Sequence, residues 1–265
     1  MAIFTGAGVA IVTPMKENGE VNYDKMGELL DYQINNSTDA IVVCGTTGEA
    51  STLTHEEHIE TIRFTADYVK KRVPVIAGTG SNCTETAIYL SQEAQKAGVD
   101  ACLVVTPYYN KTSQRGLIKH YTTIADAVDI PMILYNVPGR TGLNISVDTV
   151  VELAKHKNIQ AMKDATDNIA YAMEVLAKTA DLDFDLYSGC DDNILPFMAA
   201  GGKGVISVTS NLYPEAVEKL TQLILKGNLK EAQPLAYALD PISRLLFIDV
   251  NPIMPKAALA KMGVC

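Results

Sequence analysis

A lysine stands at the end of a strand-like run in the middle of the chain. In the segment IQAMKDATDN, Ile159, Ala161 and Met162 have the apolar character of a buried strand, and Lys163 follows them directly. Because side chains alternate along a strand, Lys163 shares a face with Ala161. Burial disfavours the charged form of a lysine, and a neutral amine is the nucleophile that forms a Schiff base with a carbonyl substrate. A strand-end lysine can equally extend to solvent or pair with Asp164, and position alone leaves both interpretations open.

Other segments carry polar side chains that suit the same chemistry. Tyr135 ends the run PMILYNVPG, and a hydrogen-bonded tyrosine can transfer protons while a Schiff base forms. The turn GTTG supplies the hydroxyls of Thr46 and Thr47, so it could bind a carboxylate, and Thr47 could hydrogen-bond Tyr135. Arg140 in VPGRTG has the planar fork that suits a carboxylate. Each signal alone is weak, since tight turns and surface salt bridges are the common fates of such residues.

Patterns typical of metal and nucleotide sites are incomplete in this chain. His55 and His58 in HEEHIET are three residues apart, whereas the zinc-protease helix spaces its two histidines four apart. GTGSNC has Cys83 where the dinucleotide-binding pattern has its third glycine. We therefore predict neither a metal site nor a dinucleotide-binding site.

Strand-like runs alternate with helical stretches along the whole chain. The runs are continuously apolar, as expected for parallel strands that are covered on both faces. Eight strand–helix units spaced by roughly 20–35 residues predict an α/β fold, the TIM (β/α)₈ barrel, which takes about 250 residues. The alternative, a doubly wound open sheet, would need fewer strands or a second domain. The runs cover residues 8–14, 40–48, 74–82, 101–109, 131–139, 159–165, 185–192 and 204–210.

Helix starts are marked between these runs. Thr54, with Glu57 three residues later, predicts a capping box, and Pro214 suits a first helical position. After the eighth run the chain continues helically. We therefore predict a catalytic barrel over residues 1–225 and an extra C-terminal helical segment over residues 226–265.

A TIM barrel would bring the polar side chains to one face. Catalytic groups in this fold lie at the carboxyl ends of the strands and in the loops that follow. The residues predicted at these positions are Thr46, Thr47, Gly48, Tyr108, Tyr109, Tyr135, Arg140, Lys163, Gly189 and Ile206.

Composition narrows the class of protein further. The 265 residues are 48% hydrophobic and carry a net charge of −9, which argues against nucleic acid because phosphate binding needs clustered Lys and Arg. No apolar run approaches the roughly 20 residues that span a bilayer, so we expect no membrane partner. The cysteines are odd in number, have mostly apolar neighbours and form no C-x-x-C pair, which predicts reduced thiols and a cytoplasmic location. The five cysteines are Cys44, Cys83, Cys102, Cys190 and Cys265.

The motifs together resemble one enzyme family. GTTGE, VIAGTGSN, VTPYYNK, LYNVPGRTG, MKDATDN and GVISVTSN are similar to those of the 4-hydroxy-tetrahydrodipicolinate synthases (dihydrodipicolinate synthases), which are pyruvate-dependent class I aldolases. The likeness runs from FTGAGVAIVTPM to NPIMPKAALAKMG. It implies a lyase of lysine and diaminopimelate biosynthesis that condenses pyruvate with L-aspartate 4-semialdehyde through a lysine Schiff base, without a cofactor. The alternative is an N-acetylneuraminate lyase or a 2-keto-3-deoxy sugar acid aldolase of the same group.

The resemblance also implies roles for individual residues. Lys163 would form the Schiff base with pyruvate. Tyr135, Thr47 and Tyr109 would form a proton relay, with Tyr109 reaching into the site of a neighbouring subunit of a homotetramer, a dimer of dimers. Arg140 would bind the carboxylate of the semialdehyde. The pocket around pyruvate would include Thr46, Thr47, Gly189 and Ile206.

Two departures from the family pattern bear on regulation and assembly. Lysine inhibits some members at a dimer interface, and sensitive members carry a glutamate at the position of Thr86, so we expect weak or absent feedback inhibition. Members usually continue in further helices beyond the position of Cys265, so the C-terminal segment is expected to be shortened and the tetramer weakened towards a dimer. The positions that correspond to the lysine site are Ala50, Ser51, His55, His58, Asn82 and Tyr108.

Overall fold

A computed structural model describes residues 2–264, and in them eight parallel strands close into a barrel. Each strand pairs with the next one along the chain, and the eighth pairs back with the first, with Gly8 opposite Ile206. The predicted TIM (β/α)₈ barrel is confirmed. The strands are β1 Gly6–Ala10, β2 Ala40–Val43, β3 Val75–Gly78, β4 Ala101–Val105, β5 Met132–Asn136, β6 Ile159–Asp164, β7 Asp185–Ser188 and β8 Gly204–Ser207.

The α-helices follow the strands and cover the outside of the barrel. Two helices come after the last barrel helix, as the sequence predicted for the C-terminal segment. The helices are α1 Tyr23–Asn35, α2 His55–Val69, α3 Thr84–Lys96, α4 Gln114–Ala125, α5 Pro138–Thr141, α6 Val147–Leu153, α7 Ile169–Lys178, α8 Ile194–Ala199, α9 Pro214–Leu225, α10 Leu229–Leu245 and α11 Ile253–Lys261, with 3-10 turns at Asp191–Asn193 and Thr209–Asn211.

The structural strands are shorter than the predicted runs. The first strand lies at Gly6–Ala10, whereas the sequence predicted residues 8–14. The fourth ends at Val105, although apolar and aromatic residues continue to position 109. The residues that directly follow β1, β4 and β8, which are residues 11–14, 106–107 and 208–210, are buried as well, so a buried strand and its buried loop look alike in the sequence.

Local signals predicted the helix starts well. The Thr54 hydroxyl accepts from the Glu57 backbone N–H at 3.2 Å, and the Glu57 carboxylate accepts from the Thr54 N–H at 2.9 Å, which completes the predicted capping box of α2. Pro214 occupies the first turn of α9, where its missing N–H has no partner to lose.

Two apolar layers share the strands. Ala161 belongs to a cluster that fills the barrel interior with Ile133 and Ile206, whereas Met162 packs into the layer between strands and helices. The expected alternation gives Lys163 the same face as Ala161, and in the structure this is the inner face of the barrel. Removing a buried aliphatic side chain from either layer would cost about 2–5 kcal/mol, so both layers stabilise the frame that holds the lysine.

Two predictions from composition remain: that the cysteines are reduced thiols and that no segment spans a membrane. Cys44, Cys83, Cys102 and Cys190 are free thiols, and Cys265 lies outside the described residues. None of the helices in residues 2–264 is both long enough and apolar enough to cross a membrane.

Candidate active site

Lys163 lies on the inner face near the carboxyl end of β6. It is directly opposite Tyr135 of β5 in the parallel register, and its side chain is only 5% exposed. The Lys163 Nζ lies 4.5 Å from the centroid of the Tyr135 ring. Among the described residues, this nitrogen makes no hydrogen bond and no ion pair. The amine is therefore buried and uncommitted, which is the state that a nucleophile requires.

Gly189 makes room for the lysine side chain. A Cβ at position 189 would lie 3.0 Å from Lys163 Cε and 2.8 Å from the Ala165 Cβ. The Gly189 N–H donates to the Asp164 carbonyl at 2.7 Å, so the backbone at this point cannot move away freely. Any larger residue here would displace the lysine.

A cavity of about 360 Å³ opens above the lysine at the carboxyl ends of the strands. Its size and position suit a small-molecule site in this fold. Ile206 is not among the residues that line it: its side chain is fully buried in the barrel interior, and Val208 lines the cavity instead. The predicted residues that the cavity brings together are Thr46, Thr47, Tyr135, Arg140, Lys163 and Gly189.

The GTTG turn presents Thr47 to this cavity in a way that the sequence did not predict. Its side chain is 3% exposed, and its hydroxyl accepts a hydrogen bond of 2.9 Å from the Asn251 side-chain amide. No hydrogen bond joins Thr47 to Tyr135 in the described structure, although the sequence suggested one. The partner is Asn251 because the C-terminal segment folds back over the turn, which local patterns cannot reveal.

The loop after β7 contributes a second buried polar group. One oxygen of the Asp191 carboxylate accepts from the backbone N–H groups of Val208 and Thr209 at 2.9 and 3.1 Å. Burial raises the pKa of Asp191, and these hydrogen bonds oppose that effect. Its other oxygen is buried and has no donor among the described residues. Asp191 ties β7 to β8 beside the lysine.

A second cavity, of about 350 Å³, adjoins the first. Thr46, Tyr135 and Arg140 line both cavities, so they form a shared wall. Asn82 lines a different, third cavity. The residues of the predicted lysine site that do line the second cavity are Ala50, Ser51, His55, His58 and Tyr108, together with Thr86.

His58 is the most buried polar residue of this second cavity. It is 3% exposed, and its Nε2 lies 2.7 Å from the Gly78 carbonyl oxygen. Burial lowers the pKa of His58, so the ring is neutral at pH 7. The imidazole is therefore held in place by its hydrogen bond to the backbone of β3.

Tyr109 does not line the cavity of its own chain. Its side chain is 93% exposed, and its φ of 68° lies in the left-handed region. Such a backbone costs of order 1–3 kcal/mol and persists when the surrounding structure enforces it.

The described residues contain no group of three or more His, Cys, Asp or Glu side chains that could hold a metal ion. Two further polar residues line the cavity of Lys163 and were missed by sequence reasoning: Asn251 and Asp191. Asn251 lies within the NPIMPKAALAKMG motif, which was noted only as part of a family likeness.

Known proteins resemble this chain over nearly its whole length. A model of the dihydrodipicolinate synthetase family matches residues 3–265. The 4-hydroxy-tetrahydrodipicolinate synthase of Lachnoclostridium phytofermentans is 61% identical over 99% of this chain and 90% of its own length. The crystal structure of dihydrodipicolinate synthase from Aquifex aeolicus has a TM-score of 0.96 at 46% identity, over 99% of this chain and 89% of that one. A structure from Acinetobacter baumannii, a chloride-inhibited dihydrodipicolinate synthase complexed with pyruvate, has a TM-score of 0.96 at 43% identity, over 98% of this chain and 89% of that one.

Proposed function

The chain belongs to the dihydrodipicolinate synthetase family, as a lyase of lysine and diaminopimelate biosynthesis, and from that premise we propose that it condenses pyruvate with L-aspartate 4-semialdehyde. The observation that carries the proposal is the buried amine of Lys163, which faces a small-molecule cavity without an ion-pair partner among the described residues. Pyruvate is a suitable first substrate because its keto group reacts with an amine, and it is the ligand of the similar Acinetobacter baumannii enzyme.

The proposed reaction begins at the Lys163 amine. Its nitrogen attacks the keto carbon of pyruvate, and loss of water gives an iminium. The iminium accepts electrons when a methyl proton leaves, which forms an enamine, and the enamine carbon attacks the aldehyde carbon of the semialdehyde. The amine of the bound semialdehyde then attacks the iminium carbon. The bond to Lys163 breaks, the lysine is regenerated, and a heterocyclic product leaves.

Proton transfer in this scheme falls to Tyr135, Thr47 and Tyr109. The Tyr135 ring lies against the Lys163 amine, and Thr47 lines the same cavity, which supports the first two roles. Tyr109 is too exposed to act in its own chain, and we propose that it reaches the site of a neighbouring subunit. The assembly would be a homotetramer, a dimer of dimers, or a dimer if the C-terminal segment of residues 226–265 holds the tetramer weakly.

Substrate carboxylates have two candidate partners. Thr46 and Thr47 would bind the pyruvate carboxylate, with Gly189 lining the pocket beside the lysine and Ile206 packed in the barrel interior without lining the cavity. Arg140 is exposed at the rim and lines the cavity, which supports a role in binding the carboxylate of the semialdehyde. The residue types match the two anionic substrates.

Borohydride reduction in the presence of pyruvate tests the proposal. The reductant fixes an iminium as a stable amine, and mass analysis of the digested protein identifies the modified lysine. We expect one pyruvate adduct, on the peptide with Lys163, and none on the peptide with exposed Lys203 as an internal control. An unmodified Lys163 would refute the mechanism. Turnover with sugar aldehydes in place of the semialdehyde would instead support a sugar acid aldolase or neuraminate lyase.

A further inference from the structure

The C-terminal segment sends one side chain into the catalytic cavity. Asn251 lies between α10 and α11, is 6% exposed, and lines the cavity of Lys163. Its Nδ2 donates to the Thr47 hydroxyl at 2.9 Å, across 204 positions of sequence. Its Oδ1 is buried and has no donor among the described residues. A buried amide whose carbonyl oxygen has no hydrogen-bond partner calls for an explanation beyond packing.

The hydrogen bond from Asn251 determines what the Thr47 hydroxyl can do. A hydroxyl has one proton to donate and two lone pairs that accept. Because the Asn251 amide occupies a lone pair, the hydroxyl proton is directed away from Asn251. It makes no other hydrogen bond within the described structure, so it is available to a group in the cavity.

The turn that carries Thr47 is strained and needs external support. Cys44 and Glu49 flank it with φ values of 51° and 57°, both in the left-handed region. A Cβ at Gly48 would lie 3.0 Å from the Cys44 nitrogen and 3.3 Å from the Ile11 carbonyl oxygen, so the turn is packed tightly on its inner side. Each left-handed residue costs of order 1–3 kcal/mol, which favours relaxation unless contacts hold the turn.

The C-terminal segment supplies a second contact to the same turn. Lys256 Nζ of α11 lies 2.6 Å from Glu49 Oε1, two residues beyond Thr47. Both side chains are 24% exposed, so solvent screens this pair only partly. Leu259, one turn of helix further, is fully buried and anchors α11 on the barrel.

We propose that Asn251 is a positioning residue: its amide orients the Thr47 hydroxyl so that the proton faces the reacting group, and the Lys256–Glu49 ion pair holds the turn in register. The proposal rests on the proposed function, because it assigns Asn251 a role through Thr47 in forming the pyruvate Schiff base. The C-terminal segment is then a part of the catalytic apparatus. Misplacement of a reacting group by about 1 Å can cost 10²-fold in rate.

A double-mutant cycle tests whether Asn251 acts through Thr47. The variants are N251A, T47V and T47V/N251A, and the readouts are turnover and the rate of borohydride-trapped adduct formation with pyruvate. We expect N251A to lower kcat about 10- to 100-fold with less than about a threefold change in the KM for pyruvate. In the T47V background the same substitution should change either rate less than about twofold, since the group it orients is gone.

The isosteric variant N251D separates orientation from shape. A carboxylate retains the size of the amide but accepts hydrogen bonds only, so it reverses the polarity of the contact with Thr47. We expect N251D to be impaired as much as N251A, and thermal unfolding of N251D to report whether the fold is intact. K256M should lower kcat about two- to fivefold, while exposed N228A and K261M serve as matched controls without effect.

The outcomes distinguish this inference from the proposed function. If the unmodified chain forms no adduct at Lys163, the proposed function fails. If the unmodified chain reacts but N251A retains its rate, or loses it equally in the T47V background, the positioning role of Asn251 is refuted. Full activity of N251D would refute the donor role of the amide.

Discussion

The two faces of one strand pair show how this molecule separates chemistry from structure. β5 and β6 place Tyr135 opposite Lys163, and one residue later they place Asn136 opposite Asp164. The first pair points into the barrel and the second points outward. All four side chains are at least nine-tenths buried, so burial does not distinguish them.

The outer pair, Asn136 and Asp164, is hydrogen-bonded to residues of the neighbouring loops. Asn136 donates to the Asn144 side chain at 2.8 Å and accepts from the Ile145 N–H at 3.2 Å. The Asp164 carboxylate accepts from the Thr166 hydroxyl at 2.9 Å and from its N–H at 3.3 Å. These bonds hold the loops after β5 and β6 in place.

The side chains of the inner pair, Tyr135 and Lys163, make no such hydrogen bonds within the described residues. Among the described residues, the Lys163 nitrogen makes no hydrogen bond and no ion pair, and it lies 4.5 Å from the centroid of the Tyr135 ring. Burying an amine without a hydrogen-bond partner costs free energy, and the chain bears that cost on the face that meets the cavity. Buried groups without a hydrogen-bond partner, not buried polar groups in general, therefore indicate the reacting atoms.

Replacing Lys163 should have the largest effect. K163M removes the nucleophile, so we expect turnover to fall at least about 10³-fold and the borohydride adduct to disappear. Since the substitution replaces a buried, unpaired amine by an apolar side chain of similar length, thermal stability should be unchanged or higher. The control is K178M on α7, where Lys178 pairs with Asp148 and Glu174 at the surface. A marked loss of stability in K163M would show that Lys163 has a structural role after all.

Two tyrosines, one on the inner face and one on the outer side, test whether catalysis and stability are separated between the two faces. Y135F on the inner face should lower kcat about 10²-fold without loss of stability, because a proton-transfer group is removed. Y171F on the outer side removes the hydrogen bond of 2.7 Å to the Ile145 carbonyl, so it should cost about 1 kcal/mol of stability and leave kcat within about twofold. Steady-state kinetics and thermal unfolding of both variants measure the contrast. If Y135F lost stability and Y171F lost kcat, the assignment of the two faces would be reversed.

Arg140 extends the comparison to the rim of the cavity. R140A should raise the KM for the semialdehyde about tenfold or more, because a bidentate partner of its carboxylate is lost. The rate of adduct formation with pyruvate should be unchanged, since that step precedes binding of the semialdehyde. R115A, at an exposed position on α4, is the matched control. An equal loss in both steps would indicate that Arg140 supports the cavity instead of binding the second substrate.

The sequence predicted the frame and the inner face but not the partners across the fold. Periodicity placed Lys163 and Met162 on opposite faces, and the Thr54 cap was correct, because both depend on neighbours within four residues. Asn251 was missed because its contact with Thr47 joins positions 204 residues apart, and no local pattern encodes such a pair. Ile206 was expected at the pocket; its side chain is fully buried in the barrel interior and does not line the cavity, so its contact with pyruvate stays a prediction.

The second cavity allows a test of whether lysine can inhibit the enzyme at a site whose buried polar side chain is already hydrogen-bonded within the protein. Its most buried polar side chain, His58, is bonded to the Gly78 carbonyl, and Thr86 offers no charge to a lysine amine. We expect 1 mM lysine, roughly a physiological concentration for a small ligand, to change the initial rate less than about twofold. T86E should increase sensitivity by adding an anion, and T84E on the same helix is the control. Half-inhibition of the unmodified enzyme at submillimolar lysine would overturn this prediction.

Asp164 should affect turnover least and stability most clearly. Burial raises its pKa from the usual 3.8 to about 6, against the hydrogen bonds from Thr166 that lower it. Because the folded-state pKa lies above the unfolded one, folding favours the protonated acid. The stabilising contribution is complete below about pH 4 and is lost as the pH rises through about 6.

D164N retains the shape of Asp164 without its titration, so the difference between the variant and the unmodified chain isolates this group. A difference of about two pKa units corresponds to about 3 kcal/mol at most, so D164N should be more stable by about 1–3 kcal/mol at pH 8 and equal at pH 4. Denaturant unfolding across this range measures the difference, with D67N at an exposed position as the control. Since the outer face holds the loops and not the reacting atoms, kcat of D164N should stay within about twofold. A pH-independent difference would mean that Asp164 is ionised in the folded state, and a large loss of kcat would mean that the two faces of β6 are not separate in function.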